Sequence, residues 1–195
     1  AATHGGSECF GTIIAGNYAV NTAHAYLVSP ALLLAGLTSP RLNFWHWMDA
    51  EGTTTWWDGG VLQVSTDGTN WTTVSQADAG WVQNGHDKAS IVGCGASPGW
   101  GGTAAASSTY QGGTNDWREV VLNLFTMSSI TLTASNTVTF RFWFGTDTSG
   151  NTWPGWYIDD VSLTSVPPPQ RANQDLVKEL PSKPQNPSNP ATVNQ

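Results

Sequence analysis

Short runs of alternating apolar and polar residues dominate the first 166 positions of the chain. A period of two is typical of strands that bury one face. The runs cover residues 41–48, 60–65, 70–74, 117–124, 137–144 and 156–164. Asp67-Gly68, between the second and third runs, is a hairpin signal, and no window shows a convincing helical period. We therefore predict an all-β domain, a two-sheet antiparallel sandwich of the jelly-roll type.

The chain changes character after residue 166. Residues 167–195 hold seven of the eleven prolines and no aromatic residue, a composition typical of extended linkers. We predict a sandwich over residues 1–166, followed by an extended Pro-rich tail over residues 167–195. The single apolar patch of the tail, at 175–180, is a short helix or a docking strand that could bind a neighbouring subunit. Residues 95–116 are mostly small and polar and predict a long surface loop.

Composition narrows the class of protein. Only 11% of the residues are charged, against about a quarter in typical domains, and Gly, Thr, Ser and Asn take their place. This pattern, with eleven tryptophans, is typical of secreted all-β proteins. The net charge of −7 argues against nucleic acid as a partner. The apolar run at 31–37 is too short to span a membrane.

The chain has two cysteines, Cys9 and Cys94. An extracellular setting favours a disulfide between them. The alternative is a pair of separate buried thiols.

Acidic residues suggest a metal site. Asp159 and Asp160 are adjacent within the last strand, where they point to opposite faces unless a bulge redirects one. A buried carboxylate needs a cation or several N–H donors, and calcium prefers hard oxygen ligands. Asp49, Glu51 and Asp58 flank a Trp-rich turn and are candidate co-ligands for calcium. The alternative is that these side chains cap turns and accept backbone N–H bonds.

Several segments, taken in order, carry a family resemblance. They are CFGT at 9–12, GNY at 16–18, LVSP at 27–30, LNFWHW at 42–47, DAE at 49–51, WDGGV at 57–61, STDGTNW at 65–71, RFWF at 141–144 and GWYIDDV at 155–161. The region 8–165 resembles the MAM-like jelly-roll modules of secreted bacterial proteins, which include accessory domains of immune-inhibitor-A-type metalloproteases and cleaved-adhesin domains of gingipains. The resemblance implies a non-catalytic extracellular module, often with structural calcium held by one of the final Asp pair and earlier acidic residues.

The chain departs from that family at its start. Family members commonly have a strand upstream of the CFGT segment, where only residues 1–8 remain here. We expect that strand to be shortened or supplied by another chain.

Catalysis and zinc binding find little support in the sequence. There is no Gly-x-Ser-x-Gly elbow and no His-Glu-x-x-His helix. Alternation places His46 on the face opposite Trp45 and Trp47, where we expect it to be solvated or hydrogen-bonded. The sequence therefore predicts that the chain is not an enzyme.

The tryptophans allow a different kind of binding. Aromatic rings stack on sugars, and four tryptophans lie in turn-like or loop-like sequence: Trp56, Trp57, Trp100 and Trp153. Core packing is the favoured role for these rings. The main hypothesis is an adhesive or assembly module that contacts other proteins, including copies of itself in a fibre. The alternative is a carbohydrate-binding or substrate-targeting module of a secreted hydrolase or metalloprotease.

Overall fold

The computed structural model describes residues 3–21, 25–102, 117–150 and 152–166. These residues form twelve strands and two short 3₁₀ turns, with no α-helix among them. The strands are β1 Phe10–Gly11, β2 Ala25–Val28, β3 Leu32–Leu33, β4 Thr38–Asp49, β5 Gly59–Ser65, β6 Thr72–Thr73, β7 Trp81–Gln83, β8 Lys88–Ile91, β9 Ser97–Gly101, β10 Arg118–Asn123, β11 Thr137–Gly145 and β12 Gly155–Val166. No helix in these ranges has the length and apolar character needed to cross a membrane.

The strands form two antiparallel sheets packed face to face, which confirms the predicted β-sandwich. The front sheet has the order β1-β12-β4-β10-β7. The back sheet has the order β2-β11-β5-β9-β8, with β3 beside β11 and β6 beside β5. The predicted tail, 167–195, lies outside the described residues.

The core fills the space between the sheets. Alternate residues of β4, among them Leu42 and Phe44, point inward and are fully buried. Phe142 of β11 meets Phe44 edge-on, with ring centroids 4.9 Å apart. Burying a side chain of this size contributes about 1.5–3 kcal/mol. The hydrophobic effect therefore sets both the pairing of the sheets and the register of β4.

The predicted loop at 95–116 is wrong at its start. Residues Ser97–Gly101 form β9, which pairs with β5 and β8. Trp100 of β9 is one of the most deeply buried side chains of the core. Residues 103–116 lie outside the described part of the chain.

His46 lies on the face opposite Trp45, as predicted, and it is hydrogen-bonded rather than solvated. Its side chain points into the core and is completely buried. Trp156 Nε1 donates a hydrogen bond to His46 Nδ1 at 3.0 Å. Burial lowers the pKa of His46 to about 3, with a smaller contribution from the charge of Arg118. Of the two expected alternatives, hydrogen bonding is therefore the correct one.

A second buried histidine joins two backbone segments. His86 Nε2 accepts a hydrogen bond from Leu62 N at 3.0 Å, and its Nδ1 lies 2.8 Å from Val74 O. Because a backbone N–H can only donate, Nε2 must be unprotonated, and Nδ1 therefore carries the proton that reaches Val74. Burial lowers the pKa of His86 to about 3. This imidazole is therefore a neutral structural link inside the sandwich.

Candidate metal site

Three carboxylates meet at one end of the sandwich. Glu51 follows β4, Asp58 precedes β5, and Asp147 follows β11. One oxygen from each lies within 4.8 Å of the others. Because Gly145 of β11 pairs with Gly59 of β5, the acids just beyond these strand ends are brought side by side. We call this group the carboxylate cluster.

Tyr18 and backbone groups hold the cluster in place. The Tyr18 hydroxyl donates to Asp58 Oδ2 at 2.6 Å and accepts from Glu51 N at 3.0 Å. Asp147 N donates to Asp58 Oδ1 at 2.8 Å. Asp58 N donates to Glu51 O at 3.1 Å, which closes the turn between the two acids. Asp58 is completely buried. The hydrogen bonds to its two carboxylate oxygens satisfy them and fix its position.

The cluster concentrates negative charge. Burial raises the pKa of Asp58 to about 6, against the opposing effect of the hydrogen bonds that it accepts from Tyr18 and Asp147. Burial and the neighbouring Asp147 raise the pKa of Glu51. Burial and the hydrogen bond to Asp58 raise the pKa of Tyr18. Neither of the ion pairs recorded among the described residues includes a member of the cluster. A cation held between the three carboxylates would offset the repulsion between them.

Two further observations fit a metal ion in this position. Glu51 Oε2 is buried and accepts no hydrogen bond from any residue that the structure describes, and an unpaired buried acceptor costs about 1–3 kcal/mol. Gly150, with φ +67°, lies so close that a Cβ at this position would overlap the Glu51 carboxylate. Calcium takes six to eight oxygen ligands at about 2.3–2.6 Å. The three carboxylates fit part of such a shell, and backbone carbonyls and water would complete it.

The other predicted ligands lie elsewhere. Asp49 is paired with Gly155 in the front sheet and is not in the cluster. Asp159 Oδ2 accepts from His4 N at 2.9 Å and from Gly5 N at 3.2 Å, and its Oδ1 accepts from Asp160 N at 2.8 Å. Backbone N–H groups thus neutralise Asp159, as the alternative interpretation expected. Of the five predicted ligands, the structure brings only Glu51 and Asp58 together.

A bulge separates the two final acids. Asp159 faces Trp45 and Ser162 faces Asn43, so two residues of β12 lie opposite one of β4. Asp160 occupies the extra position with φ 50° and remains exposed. Its Oδ2 lies 2.8 Å from His4 Nδ1.

Residues 3–9, here called the N-terminal clamp, lie against the outer face of the front sheet. The His4 ring stacks on Trp45, with centroids 3.8 Å apart and planes 11° from parallel. Cys9 packs against a buried cluster of Trp47, Trp117 and Tyr157. The clamp explains how large aromatic rings can occupy the outer face of the front sheet.

The prediction of a disulfide between Cys9 and Cys94 is wrong. Both cysteines are free thiols. Cys9 lies in the clamp, whereas Cys94 packs against Val61 and Ile91. Burial raises the pKa of the Cys94 thiol to about 12. The two residues pack in different hydrophobic clusters, so no bond joins them.

The predicted aromatic platforms are mostly packed. Trp100 is 1% exposed and donates through Nε1 to Asn84 O and Gly85 O, so its assignment as a ligand contact is wrong. Trp153 packs against the core. Lys88 Nζ lies 4.1 Å from the centre of a half-buried Trp56 ring. Trp57 is 40% exposed and remains accessible.

Comparison with protein-family models and with curated proteins gives no match. The resemblance to MAM-like modules therefore stays an expectation based on the motifs.

Proposed function

We propose that this domain is a non-catalytic, calcium-stabilised extracellular module that serves adhesion or surface assembly. The carboxylate cluster carries the proposal, above all Glu51 Oε2, a buried acceptor with no hydrogen-bond donor in the described part of the chain. Two acids of the loop between β4 and β5, Glu51 and Asp58, meet Asp147 from the segment after β11 there. A cation bound between them would join the two segments and relieve their mutual repulsion.

The histidines favour a structural role over a catalytic one. The hydrogen bonds recorded for His46 and His86 go to Trp156 and to backbone groups. Both pKa values lie near 3, far from the neutral range in which general acids and bases work best. His4 is bound to Asp160 and stacked on Trp45, and so belongs to the clamp.

Thermal unfolding in calcium and in EDTA tests the metal site. A ligand at one hundred times its Kd stabilises a fold by about 2.7 kcal/mol. For a domain of this size, that corresponds to a rise in Tm of roughly 5–10 °C. Glu51→Gln should remove most of the rise. Glu119→Gln, a half-buried acid of β10 outside the cluster, is the matched control and should retain it.

Equal Tm values for the parent chain in calcium and EDTA would contradict the calcium proposal. So would an equal calcium response in the Glu51→Gln and Glu119→Gln variants. Isothermal titration of the parent chain with calcium gives an independent readout, with one site per chain expected.

Exposed aromatic groups favour a second candidate function, carbohydrate binding. On the outer face of the back sheet, the Arg141 guanidinium lies between the rings of Tyr26 and Trp71, at 4.4 and 4.3 Å from their centres. Tyr26 is 43% exposed and Trp57 is 40% exposed. A glycan array of the parent chain tests this role, with the variants Tyr26→Ala and Trp57→Ala. An array without hits would remove it.

A further inference from the structure

The last strand of the front sheet has an edge that no described strand covers. One side of β12 pairs with β4 from Gly155 to Val166. On the other side, β1 reaches only Tyr157 and Ile158. We call residues 161–164 the open edge, because none of the strands that the structure describes pairs with them on this side. Alternate N–H and C=O groups of an edge strand point outward and can pair with an added strand.

An apolar groove of about 250 Å³ lies beside the open edge. Val161 and Leu163 of β12 form one wall, and Leu27 and Val28 of β2 form the other. Phe10 also lines the groove and is 59% exposed, while Val28 is 48% and Val161 is 40% exposed. Apolar side chains grouped beside the open edge of a strand mark a site for strand addition.

The chain contains a segment suited to this groove. Within the 29 residues that follow Val166, the only apolar patch is at 175–180. In an extended conformation, Leu176 and Leu180 point to the same side with the aliphatic stem of Lys178 between them. Residues 1–166 hold four Lys and Arg against twelve Asp and Glu, whereas residues 167–195 hold three against two. The tail as a whole is therefore opposite in charge to the domain through Arg171 and Lys183, which flank the patch, although the patch itself holds two acids and one lysine.

The sequence after β12 favours a second copy over self-docking. Pro167, Pro168 and Pro169 follow Val166 directly. Proline fixes φ near −65°, and successive prolines prefer an extended helix that rises about 3.1 Å per residue. They disfavour the tight hairpin that would bring the following residues straight back along the same β12.

We infer that residues 175–180 of one copy add as a strand to the open edge of β12 in a second copy, with Leu176 and Leu180 in the apolar groove. This inference rests on the assembly role proposed above, and it names the partner and the surface. Each copy has one groove and one tail, so the contact can close as a dimer or continue as a fibre.

Sedimentation velocity of the full chain, from micromolar to submillimolar concentration, tests the inference. The parent chain should associate and dissociate on dilution. The double variant Leu176→Asp/Leu180→Asp and the groove variant Phe10→Asp should each weaken association at least about tenfold, since central apolar contacts dominate interfaces. Val82→Asp, which changes a side chain that is 53% exposed on β7, is the matched control and should associate within about twofold of the parent.

A direct binding measurement covers the case in which Phe10→Asp fails to fold. A labelled peptide of residues 172–183 should bind the double variant, whose own tail is disabled, and a scrambled peptide should not. Val28→Asp in the same background should weaken peptide binding from the opposite wall of the groove.

The inference is overturned by a monomer at every concentration, by unchanged association of the tail variant, or by equal binding of the two peptides. Peptide binding by a chain that stays monomeric would show self-docking instead.

Each measurement is made in calcium and in EDTA. Association without any calcium response would contradict the calcium proposal alone, and a calcium response in a permanent monomer would contradict this inference alone.

Discussion

Acidification should weaken the sandwich through its two buried histidines. Both His46 and His86 have a pKa lowered from 6.5 to about 3 in the folded chain. Below pH 6.5 both histidines bind protons in the unfolded chain but not in the folded chain, so the free energy of unfolding falls with falling pH. This loss continues down to about pH 3, where the folded histidines also protonate.

The structure sets the size of the effect. At about pH 5 each histidine stabilises the unfolded state by about 2 kcal/mol relative to neutral pH. Two such residues represent a large part of a typical domain stability of about 5–15 kcal/mol. Asp58 acts in the opposite direction, because its raised pKa of about 6 lets the folded state bind a proton first. Because Asp58 is present in the parent chain and in each variant, its contribution cancels when their free energies of unfolding are compared.

The comparison uses His86→Gln, which can accept from Leu62 N and donate to Val74 O but does not titrate. Urea unfolding at about pH 7.5 and pH 5 gives the stability difference between the parent and the variant at each pH. The difference should narrow by about 2 kcal/mol at the lower pH. The control is Val64→Ala, a core change on β5, the strand whose Leu62 bonds to His86. It adds or removes no titrating group, so its stability difference from the parent should be the same at both pH values. A His86→Gln difference that does not change with pH would refute the reasoning.

Further expected outcomes concern the core, the carboxylate cluster and the thiols. Trp100→Ala should lower the free energy of unfolding by about 3–5 kcal/mol in urea titrations, and a loss below about 1 kcal/mol would show that Trp100 is not a core residue. Gly150→Ala should remove the calcium-dependent rise in Tm, whereas Gly16→Ala, at a φ of +109° but in open space, should retain it. In denaturant without reductant, Ellman's reagent should detect two thiols, Cys9 and Cys94; finding none would indicate a disulfide.

Alternation in the sequence predicted six of the twelve strands, namely β4, β5, β6, β10, β11 and β12. It did not tell which face of each strand is buried. In β4, Trp45 and His46 do point to opposite sides, yet the histidine took the interior. The reason is the clamp, which covers the outer face through the stack of His4 on Trp45. The clamp is a contact between distant parts of the chain, so no local pattern could show it.

Strand β9 was missed for a related reason. Its glycines weaken any strand pattern and suggested a loop. A Cβ at Gly99 would lie only 2.4 Å from Gly60 O on the neighbouring strand. Glycine is therefore required here because two backbones approach closely, which only the paired strands reveal.

The candidate site was predicted in part. Glu51 and Asp58 lie seven residues apart around a turn, and their closeness follows from local sequence. Asp147 was missed because its position depends on the pairing of Gly145 with Gly59. An acid two residues past the end of a strong strand was the only available signal. The partner strand, and therefore the third carboxylate, could not be assigned without the sheet order.

The clamp and the strand β1 that follows it also determine how the domain would respond to tension. Phe10 and Gly11 run antiparallel to Ile158 and Tyr157, so a pull on residues 3 and 166 loads the two strands from the same end. In that geometry the contacts of β1 open one after another like a zipper, whereas shear would load them all at once. Residues 3–11 should therefore lengthen first and uncover Trp45 while β4 and β11 stay folded. In a module under tension, the early release of this segment would lengthen the chain and lower the force on the core strands.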